Sequence, residues 1–218
     1  MSYLLDPANY DLNDPSSIPN LLTQHLIIVG ISMLISIVIA IPLGIIVARR
    51  RRLYLPVITV ADILYTIPAL ALLGYLVPIT GLNITTIIIP LVLYAQLALI
   101  RNTAAAVNGI DPLLLEVGRA MGMNRWQVLF RVTLPLALPV IIAGLRIAMV
   151  TSIGIATLAT LGGTSSLGDL IFYGIENSQD KQVIAGAIII SLLAITADLL
   201  LLALQVGLNR GRSALSVA

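Results

Sequence analysis

Five long apolar stretches, divided by short polar segments, constrain this chain more than anything else in it. They run from about Leu22 to Ala48, Leu53 to Val77, Ile84 to Ile100, Leu136 to Leu161 and Val183 to Leu208. About 20 mostly apolar residues cross the roughly 30 Å hydrocarbon layer as a helix. In hydrocarbon the backbone must satisfy its own hydrogen bonds, so each stretch is read as a helix. Only 10% of the 218 residues are charged and 59% are hydrophobic, whereas a soluble domain carries roughly 25% charged residues. The expected fold is an all-α membrane protein, a five-helix transmembrane bundle. The chain has no cysteine, which excludes disulfides and thiol chemistry. Residues 1–20 hold Asp6, Asp11 and Asp14 and no Lys or Arg. They lack the cationic start of a signal peptide, so the first span is expected to stay in the mature protein.

Lys and Arg in short loops mark the cytoplasmic side. Arg49, Arg50, Arg51 and Arg52 fill the first loop, Arg101, Arg119, Arg125 and Arg131 stand in the segment 101–135, and Arg210 and Arg212 follow the last span. The opposite side holds Lys181 among Asp169, Glu176, Asp180 and the acidic N-terminus. The expected topology has the N-terminus outside and the C-terminus inside. Residues 1–218 then form a single transmembrane domain, with 1–20 an external segment and 101–135 a cytoplasmic insert. The Arg49–Arg52 run is accounted for as a topology signal. No aromatic residue interleaves it, and no nucleic-acid partner is expected.

The insert carries local helix punctuation. Asp111 suits a helix N-cap and Pro112 the first turn. Residues 113–121 continue without a breaker, and Gly122 stands where a left-handed residue would end the helix. Asn124 followed three residues on by Gln127 is a capping-box pattern. Pro135 marks a break or kink before the fourth span. The segment therefore reads as a short helix, a glycine turn and a second short helix. Such a knob either docks into a cleft on a soluble protein or lies on the headgroups, where Arg119, Arg125 and Trp126 would also fit.

The spacing Glu116-Val117-Gly118, Gly122, Val132-Thr133-Leu134-Pro135 resembles the EAA loop of ATP-binding-cassette importer permeases. That pattern is EAA, three residues, Gly, nine residues, Ile, one residue, Leu-Pro. This chain departs from it at Val117, Gly118 and Val132, and Gly118 is expected to make the first helix more pliable. Residues 64–73 (LYTIPALALL), 93–94 with 99–103 (LY, LIRNT) and 134–146 (LPLALPVIIAGLR) are similar to osmoprotectant permeases, which take up glycine betaine, carnitine, choline or proline-type solutes. Residues 161–169 (LGGTSSLGD) resemble that group's glycine-rich loop, with Thr164-Ser165-Ser166 where the group is richer in glycine.

The resemblance implies import by alternating access, driven by ATP and Mg on separate ATPase subunits. The chain has no GxxxxGK[ST] phosphate loop, so no cofactor is expected on it and no enzymatic activity of its own. Glu116, Arg119, Gly122, Arg125, Leu134 and Pro135 would couple it to a cytoplasmic ATPase dimer. The other expected partners are a second permease copy or paralogue, a separate extracytoplasmic solute-binding protein, and lipid of a bacterial or archaeal plasma membrane. The receptor is expected as a separate chain because the sequence ends shortly after its last span. The same machine carrying an amino acid such as methionine remains an alternative. An ion-driven secondary transporter is another, although it would show duplicated halves, and none is visible.

Asp62, Arg146 and Asp198 lie inside spans two, four and five, roughly 15–18 Å from the cytoplasmic helix ends at 1.5 Å per residue. Ionisable groups at that depth mark function or pairing. Equal depth predicts one ion-pair cluster of all three, either a static clamp or a contact remade between states. A quaternary ammonium is held well over aromatic faces, which makes Tyr65, Tyr75 and Tyr94 candidate pathway contacts. Tyr65 with Pro68 is also a candidate kink or gate. Gly162, Gly163 and Gly168 mark an external gate, a receptor-contacting loop or a plain connector. His25, the only histidine, is expected at the outer interface of span one. With no second histidine or cysteine pair beside it, no metal site is expected.

Overall fold

The structure is a computed structural model that describes residues 3–213, with side chains as far as Asn209. Arg210 and Arg212, the last cations of the topology argument, lie outside the residues whose side chains are described. Two short 3-10 turns, Tyr3–Leu5 and Pro7–Tyr10, precede α1 (Ile18–Arg49). There follow α2 (Arg51–Thr66), α3 (Ala69–Thr80), α4 (Ile84–Asn108), α5 (Pro112–Ala120) and α6 (Arg125–Val128). A π turn at Leu129–Thr133 leads into α7 (Leu134–Ile155), a 3-10 stretch Ala156–Gly162, α8 (Gly168–Glu176) and α9 (Asp180–Ser213).

Among the described residues, four helical runs are long and apolar enough to cross a membrane: Ile18–Arg49, Ile84–Asn108, Arg125–Gly162 and Asp180–Asn209. The pair α2 and α3 makes a fifth if it is counted as one span, but it bends by 88°. The second span expected over residues 53–77, with its candidate kink at Tyr65 and Pro68, is thus a broken one. Pro68 has no amide proton and pushes the residue before it out of the helical region. Ile67 obeys, at φ −67° and ψ 125°. Bare backbone at membrane depth is tolerated only where something satisfies it, and here the Tyr94 hydroxyl of α4 donates to the Ile67 carbonyl.

Two further boundaries differ from expectation. The third span does not stop at Ile100; α4 continues to Asn108, so Arg101 belongs to a helix and not to the insert. Pro135 does not break the helix before the fourth span. The helix widens just upstream, where the Leu134 amide reaches the Leu129 carbonyl in the π turn, and Pro135 falls in the first turn of α7. A single π turn of this kind absorbs a residue without ending a helix. The second helix of the insert therefore runs straight into the fourth span.

α4 is the centre of the bundle. α1 packs along one side of it, α7 along another, and α2 and α3 beside them, while α9 lies outside on α7 and α8. Ile87, Leu91, Ala95, Leu99 and Ala104 of α4 are fully or almost fully buried. At one level both neighbours approach its backbone closely. A Cβ on Gly44 of α1 would stand 2.6 Å from Thr103 Cβ, and one on Gly144 of α7 would stand 2.5 Å from Asn102 Cβ. Small residues at helix crossings allow this approach in membranes, where apolar burial alone gives little drive. His25, expected at the interface, is fully buried in this core and donates through Nε2 to the Ile153 carbonyl of α7 at 3.1 Å. It lies near the α1 terminus in sequence, but its helix face points inward.

Candidate functional site

The insert is built from local hydrogen bonds. Asp111 accepts the Leu113 amide at 2.9 Å, and Pro112 opens α5. At the other end Gly122 is left-handed, with φ +81°. The Gly122 amide donates to Arg119 at 2.9 Å and the Met123 amide to Gly118 at 3.1 Å. These two bonds form a Schellman motif, which requires a residue free of Cβ strain at its turn. Asn124 then accepts from the Trp126 and Gln127 amides at 3.0 and 2.9 Å, and the Gln127 side chain accepts the Asn124 amide at 2.8 Å. Both ends of the turn are fixed, so α5 and α6 form a rigid knob. Gly118 is buried, and a methyl added there would meet Met123, Val128 and Val132 at ordinary contact distances of 3.6–3.7 Å.

Glu116, Arg119 and Arg125 are exposed on this knob. Glu116 and Arg119 share no ion pair among the described residues. Arg119 and Arg125 join Arg49 around a cleft of about 560 Å³ beneath α5. Leu134 and Pro135 lie at the start of α7, away from the tip. The charge-centred expectation overlooked the apolar part of the surface. Leu113, Leu114, Val117, Met121, Trp126 and Phe130 are all exposed. Trp126 stacks on Phe130 with centroids 6.2 Å apart, and the Arg125 guanidinium lies 5.8 Å over the Trp126 ring. The spacing Leu113, Leu114, Val117, Met121 already carries this stripe in the sequence.

The three intramembrane charges do not form one cluster. Arg146 and Asp198 are brought together, Nε and Nη2 donating to the two carboxylate oxygens at 2.8 and 2.9 Å, with Nη1 donating to Gln205 at 3.0 Å. Asp62 instead meets Arg101, whose Nη2 donates to both of its oxygens at 3.0 Å. The physical reason is neighbour order: α2 packs on α4, whereas α7 packs on α9. Arg146 and Asp198 meet as expected, but the helix opposite Asp62 was not the one expected.

Removing one partner of a paired charge costs more than removing both. Arg146→Ala is therefore expected to lower the amount of folded protein extracted from membranes several-fold. Arg146→Met with Asp198→Leu should be milder. Equal yields for the single variant and the wild type would show that the pair does not hold α7 to α9.

Of the candidate pathway tyrosines, Tyr65 and Tyr94 meet edge to face, centroids 5.8 Å apart and planes at 81°. Tyr75 stands apart on α3 and is strongly exposed. Gly163 ends the 3-10 stretch in a left-handed conformation, against Leu82. Gly162 is buried near Leu73, and Gly168 opens α8 against the Thr157 carbonyl. Asp169, counted in the sequence only as an outer charge, is buried and receives the Thr160 hydroxyl and the Ser166 amide.

Apolar spans around a central helix, with a rigid knob projecting beyond them, define a polytopic membrane protein. The chain belongs to the family of binding-protein-dependent transport system inner membrane components, which matches residues 40–212. It is 44% identical over 179 residues to the carnitine transport permease protein OpuCD of Listeria monocytogenes, covering 82% of this chain and 80% of that one. It is 39% identical over 210 residues to the osmoprotectant import permease protein OsmW of Salmonella typhimurium, covering 94% and 98%. The choline transport system permease protein OpuBD of Bacillus subtilis is 40% identical over 210 residues, covering 96% and 93%. The fold matches the MetNI methionine ABC transporter in inward-facing conformations with a TM-score of 0.74, at 24% identity over 85% of this chain and 93% of that one. The chain is thus the membrane permease component of a binding-protein-dependent transport system, a transport subunit rather than an enzyme.

Proposed function

We propose that this chain is the membrane-spanning subunit of an ATP-driven importer of quaternary ammonium osmoprotectants such as glycine betaine, choline or carnitine. The observation that carries the substrate class is the identity of 39–44%, over most of the chain, to permeases named for carnitine, choline and osmoprotectant transport. In this reading residues 1–218 form one transmembrane permease domain in a bacterial or archaeal plasma membrane. The N-terminal segment is outside and the C-terminus inside, as the loop arginines favour. The knob of α5, Gly122 and α6 docks on a cytoplasmic ATPase dimer that binds the ATP and Mg. Its exposed apolar stripe supplies contact area, and Glu116, Arg119 and Arg125 supply orientation. A second permease copy or paralogue completes the pathway, and a separate solute-binding protein delivers cargo to the outer face, where Gly162, Gly163 and Gly168 shape the loop.

The test is ATP-dependent uptake of labelled glycine betaine, choline, carnitine and methionine into proteoliposomes. These hold this chain with the ATPase and binding protein encoded beside it. Uptake of at least one quaternary ammonium solute is the expected result. Uptake of methionine alone would keep the importer and discard the osmoprotectant class.

A further inference from the structure

The two ion pairs between the apolar helices are built differently. Arg146 engages each of its three nitrogens, Nε, Nη1 and Nη2, with Asp198 and Gln205, and so ties α7 to α9. Arg101 engages Asp62 through Nη2 alone. Its Nε and Nη1 have no partner among the described residues. The exposures differ in the same sense: the side chains of Arg101 and Asp62 are 49% and 46% exposed, against 24% and 33% for Arg146 and Asp198.

Charged groups at this depth face a water-filled cavity or protein rather than hydrocarbon. α4 is covered by α1, α2 and α7 on its other faces, and Arg101, Ala105 and Asn108 form the stripe left open. Tyr94 lies seven residues back from Arg101, which is two turns or about 10 Å along the same face. Its hydroxyl is tied to Ile67 and its ring meets Tyr65. Tyr65 follows Asp62 by about one turn and is 45% exposed. A guanidinium with open donors and a braced, half-open aromatic ring thus flank the helix break on one face.

We propose that Arg101 binds the carboxylate of a zwitterionic solute as it crosses the membrane, and that the Tyr65 ring receives the solute's quaternary ammonium group. This inference rests on the osmoprotectant reading above. Asp62 is a positioning residue: it holds Nη2, orients the guanidinium and keeps the empty site neutral. A zwitterion adds no net charge to that pair, whereas choline has no carboxylate to offer Arg101 and brings an uncompensated cation.

The test compares glycine betaine with choline in proteoliposomes of the full assembly, and reads receptor-stimulated ATP hydrolysis in the same preparations. Asp62→Asn with Arg101→Gln removes both charges together. It should lower glycine betaine uptake by about tenfold or more, the worth of a charged hydrogen bond. Choline uptake should fall less, so that the ratio of glycine betaine to choline uptake drops by about tenfold, and Arg101→Lys should recover part of that ratio. Parallel loss of both solutes and of hydrolysis, or no loss at all, would overturn the proposal. Should the double variant not assemble, Tyr65→Leu decides. It should depress uptake of both solutes while Tyr75→Leu leaves them unchanged, and an unaffected Tyr65→Leu also overturns the proposal. A wild type that carries choline but no zwitterion refutes the Arg101 site and leaves the osmoprotectant reading standing. A wild type that carries neither refutes that reading itself.

Discussion

Gly122→Asp is expected to abolish ATP-dependent uptake while the chain reaches the membrane in wild-type amounts. Gly122 sits at φ +81°, the conformation the Schellman turn demands, and an added Cβ would find no atom within 4 Å. The fold therefore objects to a side chain here only through backbone strain, which for an L-residue is about 1–2 kcal/mol. That cost is confined to one exposed turn, since the spans are held by packing far from it. In the proposed docking the tip enters a groove on the ATPase, where a carboxylate would have to be desolvated. Gly122→Asn separates the two contributions, because asparagine tolerates the left-handed region. Loss of uptake and of ATPase co-purification in both variants would place the defect in docking. Wild-type uptake by Gly122→Asp would remove the tip from the coupling surface.

What was legible in the sequence follows the range of the interactions. The caps at Asp111 and Asn124 and the turn at Gly122 depend on hydrogen bonds within a few residues, and their residue types alone select the geometry. Span existence depends on apolar length and was equally readable. The break at Pro68 was visible as a kink, but its 88° angle was not. A bend that sharp needs a donor for the freed Ile67 carbonyl, and Tyr94 supplies it from another helix. The partner of Asp62 was missed for the same reason. Helical rise gives the depth of a charge, but packing order, set by close contacts such as Gly144 on Asn102, decides which helix it faces. His25 shows the same limit, since its distance from the helix end said nothing about which face it occupied.

Gly168→Ala is expected to unfold the loop between the fourth span and α9 and to lower the yield of folded protein several-fold. An added Cβ would stand 1.9 Å from the Thr157 carbonyl oxygen, 2.7 Å from its carbon and 2.9 Å from the Thr160 hydroxyl oxygen. The first two atoms are backbone and cannot rotate away, so α8 must shift from the 3-10 stretch by roughly an ångström or more to restore normal contact. Overpacking typically costs about 1–3 kcal/mol where side chains can yield, and here only main chain can. The same shift would pull apart a latch of short reach. The Gly168 amide donates to Ser166 Oγ at 3.0 Å, and the buried Asp169 carboxylate takes the Ser166 amide at 3.3 Å together with the Thr160 hydroxyl. Losing it leaves a buried carboxylate without its donors, which adds to the steric cost. Gly162→Ala is the control, six residues away in the same loop region. Its methyl would meet only Leu73 Cδ1 at 3.4 Å, an ordinary contact with a flexible side-chain end. Thermal unfolding of the two purified variants in detergent, with proteolysis of α8 and the turn at 177–179 as a local readout, distinguishes them. If Gly168→Ala proves as stable and as protected as Gly162→Ala, the close seating of α8 on Thr157 is wrong, and with it the view of this loop as a fixed latch.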